Sequence, residues 1–285
     1  MGNKKALLTN LYLFAVFAVL TYVKTYFMLP SRNLLSVMCG FGFWGLVYET
    51  IALGLFIDSN GKAGQVSKML TGAFLAMLLI GWAGEIHSTM SVKPVWNSIS
   101  KKYSRSTEAP TFKRNETPVA LAPNTVLNRV RKAMSDIPNS QYFDTPDTVQ
   151  AQYYKGKPVY IIPLQYDGFF AMNRAKEIPG YFIVSATSQN AEPKFVHKPY
   201  KYAQSAYFNH DVDRNIYRHN PEWLTMSNPQ LEIDDNGTPY WVQTVYKSEF
   251  MSHRPNYKKL HVVVMNAQTG KQNTYSLNNI PKFVD

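Results

Sequence analysis

The sequence predicts a membrane-anchored α+β protein, in which three N-terminal transmembrane helices precede two tandem units, each a helix packed on an antiparallel sheet. Three observations predict this fold class. Long apolar runs lie within residues 6 to 86, and the chain beyond them is polar and rich in Tyr, Asn, Pro and Lys. Within that polar part, one order of helix and strands occurs twice, about 81 residues apart.

The membrane region is predicted at 1 to 88, with spans at about 6 to 29, 34 to 57 and 69 to 86. A helix needs roughly 20 apolar residues to cross the hydrocarbon core of a bilayer. The first run is too long for a signal peptide, lacks a clear cleavage site and is followed by further spans. Short polar connectors between the runs predict an antiparallel helical bundle.

The charges of the short loops predict a cytoplasmic N-terminus and an extracytoplasmic C-terminal region, since basic loops tend to stay inside. The residues that favour this orientation are Lys4, Lys5, Lys62 and Lys68. A second basic group just after the third span favours the opposite orientation: Lys93, Lys101, Lys102 and Arg105.

Glu49 is an ionisable residue deep in the second span, and such residues are functional candidates because charge in lipid is unfavourable. It is therefore a candidate intramembrane polar site, with a hydrogen-bonded structural carboxyl as the alternative. Gly40, Gly42 and Gly45 on the same helix predict close helix packing, within the chain or with another membrane protein.

A juxtamembrane linker is predicted at 89 to 123, followed by unit 1 at 124 to 204 and unit 2 at 205 to 285. Each unit should begin with an amphipathic helix, because apolar residues recur there at helical spacing. In unit 1 this face is Val126, Val130, Met134 and Ile137, with Asn124 or Thr125 as the cap. In unit 2 it is Phe208, Val212 and Ile216, with Ser205 as the cap.

Strand pairs joined by tight turns follow each helix. Glycine supports such turns because it adopts positive φ without a steric penalty. The residues predicted to build them are Gly156 and Pro158, their counterparts Gly237 and Pro239, and the later pair Thr269 and Gly270.

The turn of unit 2 at Asn266, Ala267, Thr269 and Gly270 resembles the PepSY domain, in which a strand runs into this type of turn before the last strand. Unit 1 has Ser185, Ala186, Ser188 and Gln189 in place of this pattern, so its membership rests on the internal repeat. The whole of 124 to 285 is also similar to the repeated extracytoplasmic region of uncharacterised multi-span membrane proteins of Gram-positive bacteria and their mobile elements. The resemblance implies binding of peptidases or of cell-envelope components, without catalytic residues.

Composition excludes several kinds of chemistry. Cys39 is the only cysteine, so the polar region has neither a disulfide nor a thiol nucleophile. His210 and Asp213 could share a helix face, but no metal or hydrolase signature accompanies them. We therefore expect no cofactor, no metal and no enzymatic activity. The net charge of +11 suits an anionic lipid surface or envelope polymer, and without a nucleic-acid motif no nucleic-acid partner is expected.

Tyrosines crowd into unit 1 and its exit, and tyrosine favours binding surfaces because it combines apolar area with a polar tip. The candidate interaction surface is Tyr153, Tyr154, Tyr166, Tyr200 and Tyr202, with ordinary sheet packing as the alternative. The sequence thus favours a membrane-anchored extracytoplasmic module that binds a protein, a peptide or an envelope polymer. The alternatives are an ion-coupled or transport-associated component that uses Glu49, and an envelope hydrolase that uses His210 or Asp213.

Overall fold

The computed structural model describes residues 2–58, 60–93, 96–97, 119–147, 149 and 151–284. The chain separates into two compact units. The membrane unit comprises Met1–Arg105, Glu222–Leu224 and Lys247–Lys258; the sheet unit comprises Ser106–Pro221, Thr225–Tyr246 and Lys259–Asp285. Most of the predicted linker, 89 to 123, lies outside the described residues.

Three helices in the described part of the membrane unit are long and apolar enough to cross a bilayer: α1 Gly2–Met28, α2 Leu34–Ile51 and α3 Lys62–Met90. This confirms the predicted apolar segments, although the bounds differ. The third helix continues through polar residues on both sides of its apolar run, because backbone hydrogen bonding does not stop where hydropathy falls. The second ends in a π-helical turn, Ala52–Phe56.

Small residues bring α2 and α3 close together. A Cβ atom at Gly42 would lie 2.9 Å from the backbone nitrogen of Leu78, and one at Gly45 would lie 2.4 Å from the ring of Phe74. A Cβ at Gly40 would meet nothing within 4 Å. Two of the three predicted packing glycines therefore serve contacts within the chain, whereas Gly40 lies away from this interface.

The first half of the sheet unit combines helix α4, Pro123–Ala133, with an antiparallel sheet of order β2-β3-β5-β6. Its four strands are β2 Ala151–Tyr154, β3 Lys157–Pro163, β5 Ile178–Ser185 and β6 Lys194–Tyr200. A short ladder of β1 Phe143–Asp144 with β4 Gln165–Tyr166, and helix α5 Gly168–Ala175, are added to this half.

The second half combines helix α6, Val212–His219, with an antiparallel sheet whose main order is β11-β10-β9-β7; β8 also pairs with β9. Its strands are β7 Leu224–Thr225, β8 Gln230–Ile233, β9 Pro239–Ser248, β10 Pro255–Asn266 and β11 Gln272–Ser276. By the division above, Leu224 of β7, the last two residues of β9 and the first four of β10 belong to the membrane unit. The described chain is thus a set of apolar helices followed by a strand-rich α+β region, as the sequence predicts.

The predicted helix starts need correction. Helix α4 begins at Pro123 after Ala122, so neither Asn124 nor Thr125 caps it. Asp211 caps α6, because its carboxylate accepts a 2.7 Å bond from the Arg214 amide. Ser205 instead accepts a bond from the Tyr166 amide.

The predicted apolar faces also differ in extent from the observed ones. Phe208 lies outside α6, in a 3₁₀ turn with φ +54°, and is 49% exposed. Val212 and Ile216 are buried, at the same spacing as Val126 and Val130 in α4. The chain entering α6 is therefore longer than the prediction allowed.

Two loop hydrogen bonds recur in the two halves with an offset of 81 residues. The amide of Ala186 donates to the carbonyl of Pro158 at 3.1 Å, and the amide of Ala267 donates to the carbonyl of Pro239 at 3.0 Å. In the first half the bond joins the residue that follows β5 to the start of β3. In the second half it joins the residue that follows β10 to the start of β9.

In each half, a buried aromatic side chain donates a hydrogen bond to a backbone carbonyl 39 positions earlier in the chain. Tyr160 donates through its hydroxyl to the carbonyl of Leu121 at 2.8 Å, and Trp241 donates through Nε1 to the carbonyl of Tyr202 at 2.7 Å. These pairs again differ by 81 positions. Each bond ties the core of a sheet to the extended segment that leads towards its helix.

Candidate functional site

A polar cleft of about 690 Å³ lies between the two halves of the sheet unit. We call it the glutamine cleft, because Gln152, Gln165, Gln204 and Gln230 line it. The buried ring of Trp241 also contributes to its lining. The remaining lining residues are Pro146, Asp147, Val149, Ala151, Ile161, Pro163, Ser227, Asn228, Pro229, Leu231 and Glu232.

One wall of the cleft is an extended segment, 227 to 233, held by glutamine side chains from three other segments. The Nε2 atoms of Gln243, Gln204 and Gln152 donate to alternate carbonyls of this segment, on Ser227 at 2.7 Å, Pro229 at 3.0 Å and Leu231 at 3.0 Å. A glutamine side chain carries the same donor and acceptor as a peptide group. The glutamines therefore satisfy backbone groups that a neighbouring strand would otherwise satisfy.

Gln152 shows most clearly how a side chain takes the place of a neighbouring strand. Its Nε2 donates to Leu231, and its Oε1 accepts a 3.4 Å bond from the amide of Ile233. A single side-chain amide thus bonds to two backbone groups on the outer edge of β8, the Leu231 carbonyl and the Ile233 amide. The residue is only 8% exposed, so its bonds are shielded from water.

Other polar side chains of the cleft face solvent. Gln230, Asn228 and Asp147 are exposed, and Gln165 is half-buried. Glu232 is buried at 6% exposure. The cleft therefore offers amide donors and acceptors and the carboxylate of Asp147, and its lining also includes the buried apolar residues Ile161 and Trp241.

The predicted tyrosine surface is divided by the fold. Tyr153 is 56% exposed and Tyr154 and Tyr202 are half-buried, whereas Tyr166 and Tyr200 are 4% and 1% exposed. The last two are core residues and cannot form an interaction surface. The Tyr200 hydroxyl donates to the Leu164 carbonyl at 2.9 Å.

The predicted turn residues lie in turns. Gly156, Gly237 and Gly270 each have φ +74°; β3 begins one residue after Gly156, at Lys157, and β9 begins two residues after Gly237, at Pro239. Asn266 organises the last turn, since its side-chain oxygen accepts bonds from the amides of Gln268 and Thr269. A Cβ at Gly270 would lie 2.4 Å from the ring of Tyr202, so this position requires glycine for space as well as conformation.

Glu49 is fully buried in the membrane unit. Its Oε2 accepts a hydrogen bond from the Ser67 hydroxyl of α3, while Oε1 has no hydrogen-bond partner within the described part of the chain. Among the basic residues of the first helix, Lys24 places its Nζ 5.4 Å from the centre of the Trp44 ring. Glu49 therefore combines one satisfied and one open oxygen.

The structure gives His210 and Asp213 different neighbours. The ring of His210 lies 5.3 Å from that of Tyr202. Burial raises the pKa of Asp213 to about 6, the nearby Asp211 carboxylate adds to the rise, and a hydrogen bond with Gln243 opposes it. Among the described residues, no group of three or more His, Cys, Asp or Glu is placed to hold a metal ion.

No known family model, curated protein or solved structure matches this chain. The geometry of the described residues is therefore what supports a functional assignment. The glutamine cleft was missed by sequence reasoning, although a signal for it exists. Gln243 lies between Trp241 and Val245 on the buried face of β9, at 2% exposure, where alternation predicts an apolar residue.

A second polar cluster in the membrane unit was also missed. His253 Nε2 lies 2.6 Å from a carboxylate oxygen of Glu85 in α3, and His253 Nδ1 lies 2.5 Å from the side-chain nitrogen of Asn33. Asn33 also caps α2, accepting a 2.7 Å bond from the Ser36 amide. The cluster joins residues more than 160 positions apart, so no local pattern could indicate it.

Proposed function

We propose that this protein is a membrane-anchored, non-catalytic binding module. Its apolar helices anchor the chain, and its strand-rich region lies outside the cell and binds a polar chain, either a peptide segment of a protein or an envelope polymer. The glutamine cleft is the binding site in this proposal, in place of the tyrosine surface expected from the sequence.

The observation that carries the proposal is the way in which the cleft holds segment 227 to 233. Three side-chain amides bond to alternate carbonyls of an extended chain, at 2.7 to 3.0 Å. The side chains of Gln165, Asn228 and Gln230 present the same amide chemistry to the open side of the cleft. A second polar chain lying in the cleft would meet donors and acceptors of the kind that already bind the first.

We further propose that the two halves of the sheet unit are copies of one PepSY-like unit. The paired bonds of Pro158 with Ala186 and of Pro239 with Ala267 support this, as do the paired rings of Tyr160 and Trp241. The backbone bond and the aromatic side-chain bond both recur 81 positions apart. Two unrelated sheets would not be expected to share both. The extracytoplasmic placement rests on the loop charges described above.

Site-specific photo-cross-linking tests the binding site. A photoreactive amino acid at Gln230, in the cleft, should give adducts with a cellular partner on irradiation of intact cells. The same residue at Gln189, an exposed glutamine outside the cleft, is the matched control. The double substitution Gln165→Ala with Asn228→Ala should weaken the Gln230 adduct. Equal adducts at the two positions would contradict the assignment of the cleft.

Cysteine labelling tests the orientation independently. In a Cys39→Ala background, which removes the natural thiol, a cysteine introduced at the exposed Asn273 should react with a membrane-impermeant maleimide in intact cells. Labelling that appears only after the cells are opened would place the strand-rich region in the cytoplasm.

A further inference from the structure

A pocket of about 400 Å³ lies among α1, α2 and α3 in the membrane unit. Four aromatic rings, of Phe14, Phe17, Tyr48 and Phe74, line it together with three leucines. The rings of Phe14 and Phe17 have their centres 6.5 and 5.4 Å from that of Tyr48. This volume is within the range of pockets that bind small organic molecules.

Glu49 supplies the carboxylate among the described residues that line this pocket. The side chain is fully buried, and Ser67 satisfies only its Oε2. Its Oε1 lacks a hydrogen-bond partner within the described part of the chain. A buried polar atom without a partner is unfavourable, and more so when it belongs to an ionisable group in hydrocarbon. Among the described residues, Oε1 of Glu49 therefore lacks a hydrogen-bond donor, and a positively charged donor would compensate best.

We propose that this pocket binds a lipid-soluble amine in its ammonium form. The N–H group donates to Oε1 of Glu49, and the positive charge lies against the faces of the surrounding aromatic rings. Charge-assisted bonds to a carboxylate and cation–π contacts both strengthen when water is excluded. The leucines take the apolar part of the ligand. This site is separate from the glutamine cleft and does not depend on the binding function proposed for it.

A free amine fits the pocket better than the ammonium group of a phospholipid. Glu49 lies six residues before the end of the apolar span at Leu55, or roughly 9 Å along the helix at 1.5 Å per residue. A phospholipid headgroup reaching this depth would bring its phosphate towards the Glu49 carboxylate. Burying that second negative charge would oppose binding.

Equilibrium binding to the full-length protein in phosphatidylcholine nanodiscs tests the proposal, with radiolabelled N,N-dimethyldodecylamine as the probe. Empty nanodiscs measure partitioning into lipid. We expect saturable binding of about one amine per chain above this background, whereas 1-dodecanol and dodecanoate of equal chain length should bind at least about tenfold more weakly. Equal binding of the three compounds, or no saturable component, would overturn the proposal.

Variants locate the site. Glu49→Gln should weaken amine binding at least about tenfold, because the neutral amide keeps the shape but loses the charge. Glu85→Gln, which neutralises a carboxylate outside the pocket, should bind as the wild type does. Thermal unfolding checks that the variants are folded. If Glu49→Gln fails to fold, Phe74→Leu decides, since loss of a ring should weaken binding by about two- to fivefold. Unchanged amine affinity in Phe74→Leu would contradict the assignment of the amine site to this pocket.

Discussion

The two halves of the sheet unit share their internal bonds but differ in how the chain enters the helix. In the first half, α4 begins at Pro123, two residues after Leu121 receives the hydroxyl bond from Tyr160. In the second half, α6 begins at Val212, ten residues after Tyr202 receives the corresponding bond from Trp241. The contacts that hold the sheet recur, whereas the route into the helix does not.

The longer entry in the second half has a structural use. It carries Tyr207 and Phe208, whose ring centres lie 5.4 and 6.0 Å from that of Phe169 in α5. Helix α5 is an addition to the first half alone. The added residues of one half therefore contact the added helix of the other. The comparison teaches that bonds within each sheet recur at one offset, whereas the segments that differ contact each other across the two halves.

The largest expected effect comes from removing the paired aromatic rings. Trp241→Ala and Tyr160→Ala should each lower the free energy of unfolding by about 3 to 5 kcal/mol, because each leaves a large cavity in a core. The two rings are 1% and 3% exposed. Urea unfolding of the full-length protein in detergent, followed by circular dichroism, measures both.

The conservative change Tyr160→Phe separates the hydrogen bond from the packing. It removes only the donor to Leu121 and should cost about 1 kcal/mol. A cost for Trp241→Ala far above that for Tyr160→Ala, beyond the difference in ring size, would mean that the two positions do not play equivalent roles.

Glycine substitutions sharpen the comparison at an intermediate level. Gly270→Ala should cost about 2 to 3 kcal/mol, because the new Cβ would lie 2.4 Å from the Tyr202 ring and φ is +74°. Gly156→Ala is the matched control, with the same φ but nothing within 4 Å of the new Cβ. It should cost about 1 kcal/mol from conformation alone. The same unfolding experiment measures both, and equal costs would contradict the steric role of Gly270.

A further small effect concerns the protonation of Asp213 in the second half. Because the pKa of Asp213 rises from 3.8 to about 6 on folding, the folded protein holds this proton more tightly than the unfolded chain. Its contribution to stability is therefore full below pH 4 and is lost as pH rises through 6. Asp213→Asn should remove this dependence and stabilise the protein above pH 6 by about 1 to 2 kcal/mol, allowing for partial exposure.

Stability curves from pH 4 to 7 check this prediction. Asp136→Asn, at an exposed carboxylate that follows α4 in the first half, is the control and should leave the curve unchanged. A wild-type curve parallel to that of Asp213→Asn across this range would contradict the assignment.

Local patterns were sufficient to predict much of the fold. Apolar runs predicted the three helices that are long and apolar enough to cross a bilayer. Glycine with proline predicted the turns at Gly156 and Gly237. Both features depend only on neighbouring residues. Helix α5 was not predicted, because its eight residues are too few for a periodic signal. The start of α6 was misplaced because Phe208 lies at helical spacing from Val212 without being part of the helix. Its ring instead packs against Phe169, which is distant in sequence.

The candidate sites were harder to predict than the fold. Glu49 was identified from its chemistry alone, since a carboxylate in an apolar run is unusual wherever it lies. The cleft could not be identified in this way. Gln152 and Leu231 are 79 positions apart, and their contact depends on how the edges of two sheets meet. Tyr166 and Tyr200 were assigned to a surface because composition does not distinguish a buried hydroxyl from an exposed one.

The three glutamines that hold segment 227 to 233 also restrict which changes the gene can tolerate. Each codon for glutamine becomes a codon for glutamate through a single base change. At Gln152, Gln204 or Gln243 that change would replace an N–H donor by an oxygen facing a carbonyl oxygen. Chemical deamidation also converts glutamine to glutamate. At these three positions, a point mutation and chemical ageing would therefore cause the same structural defect.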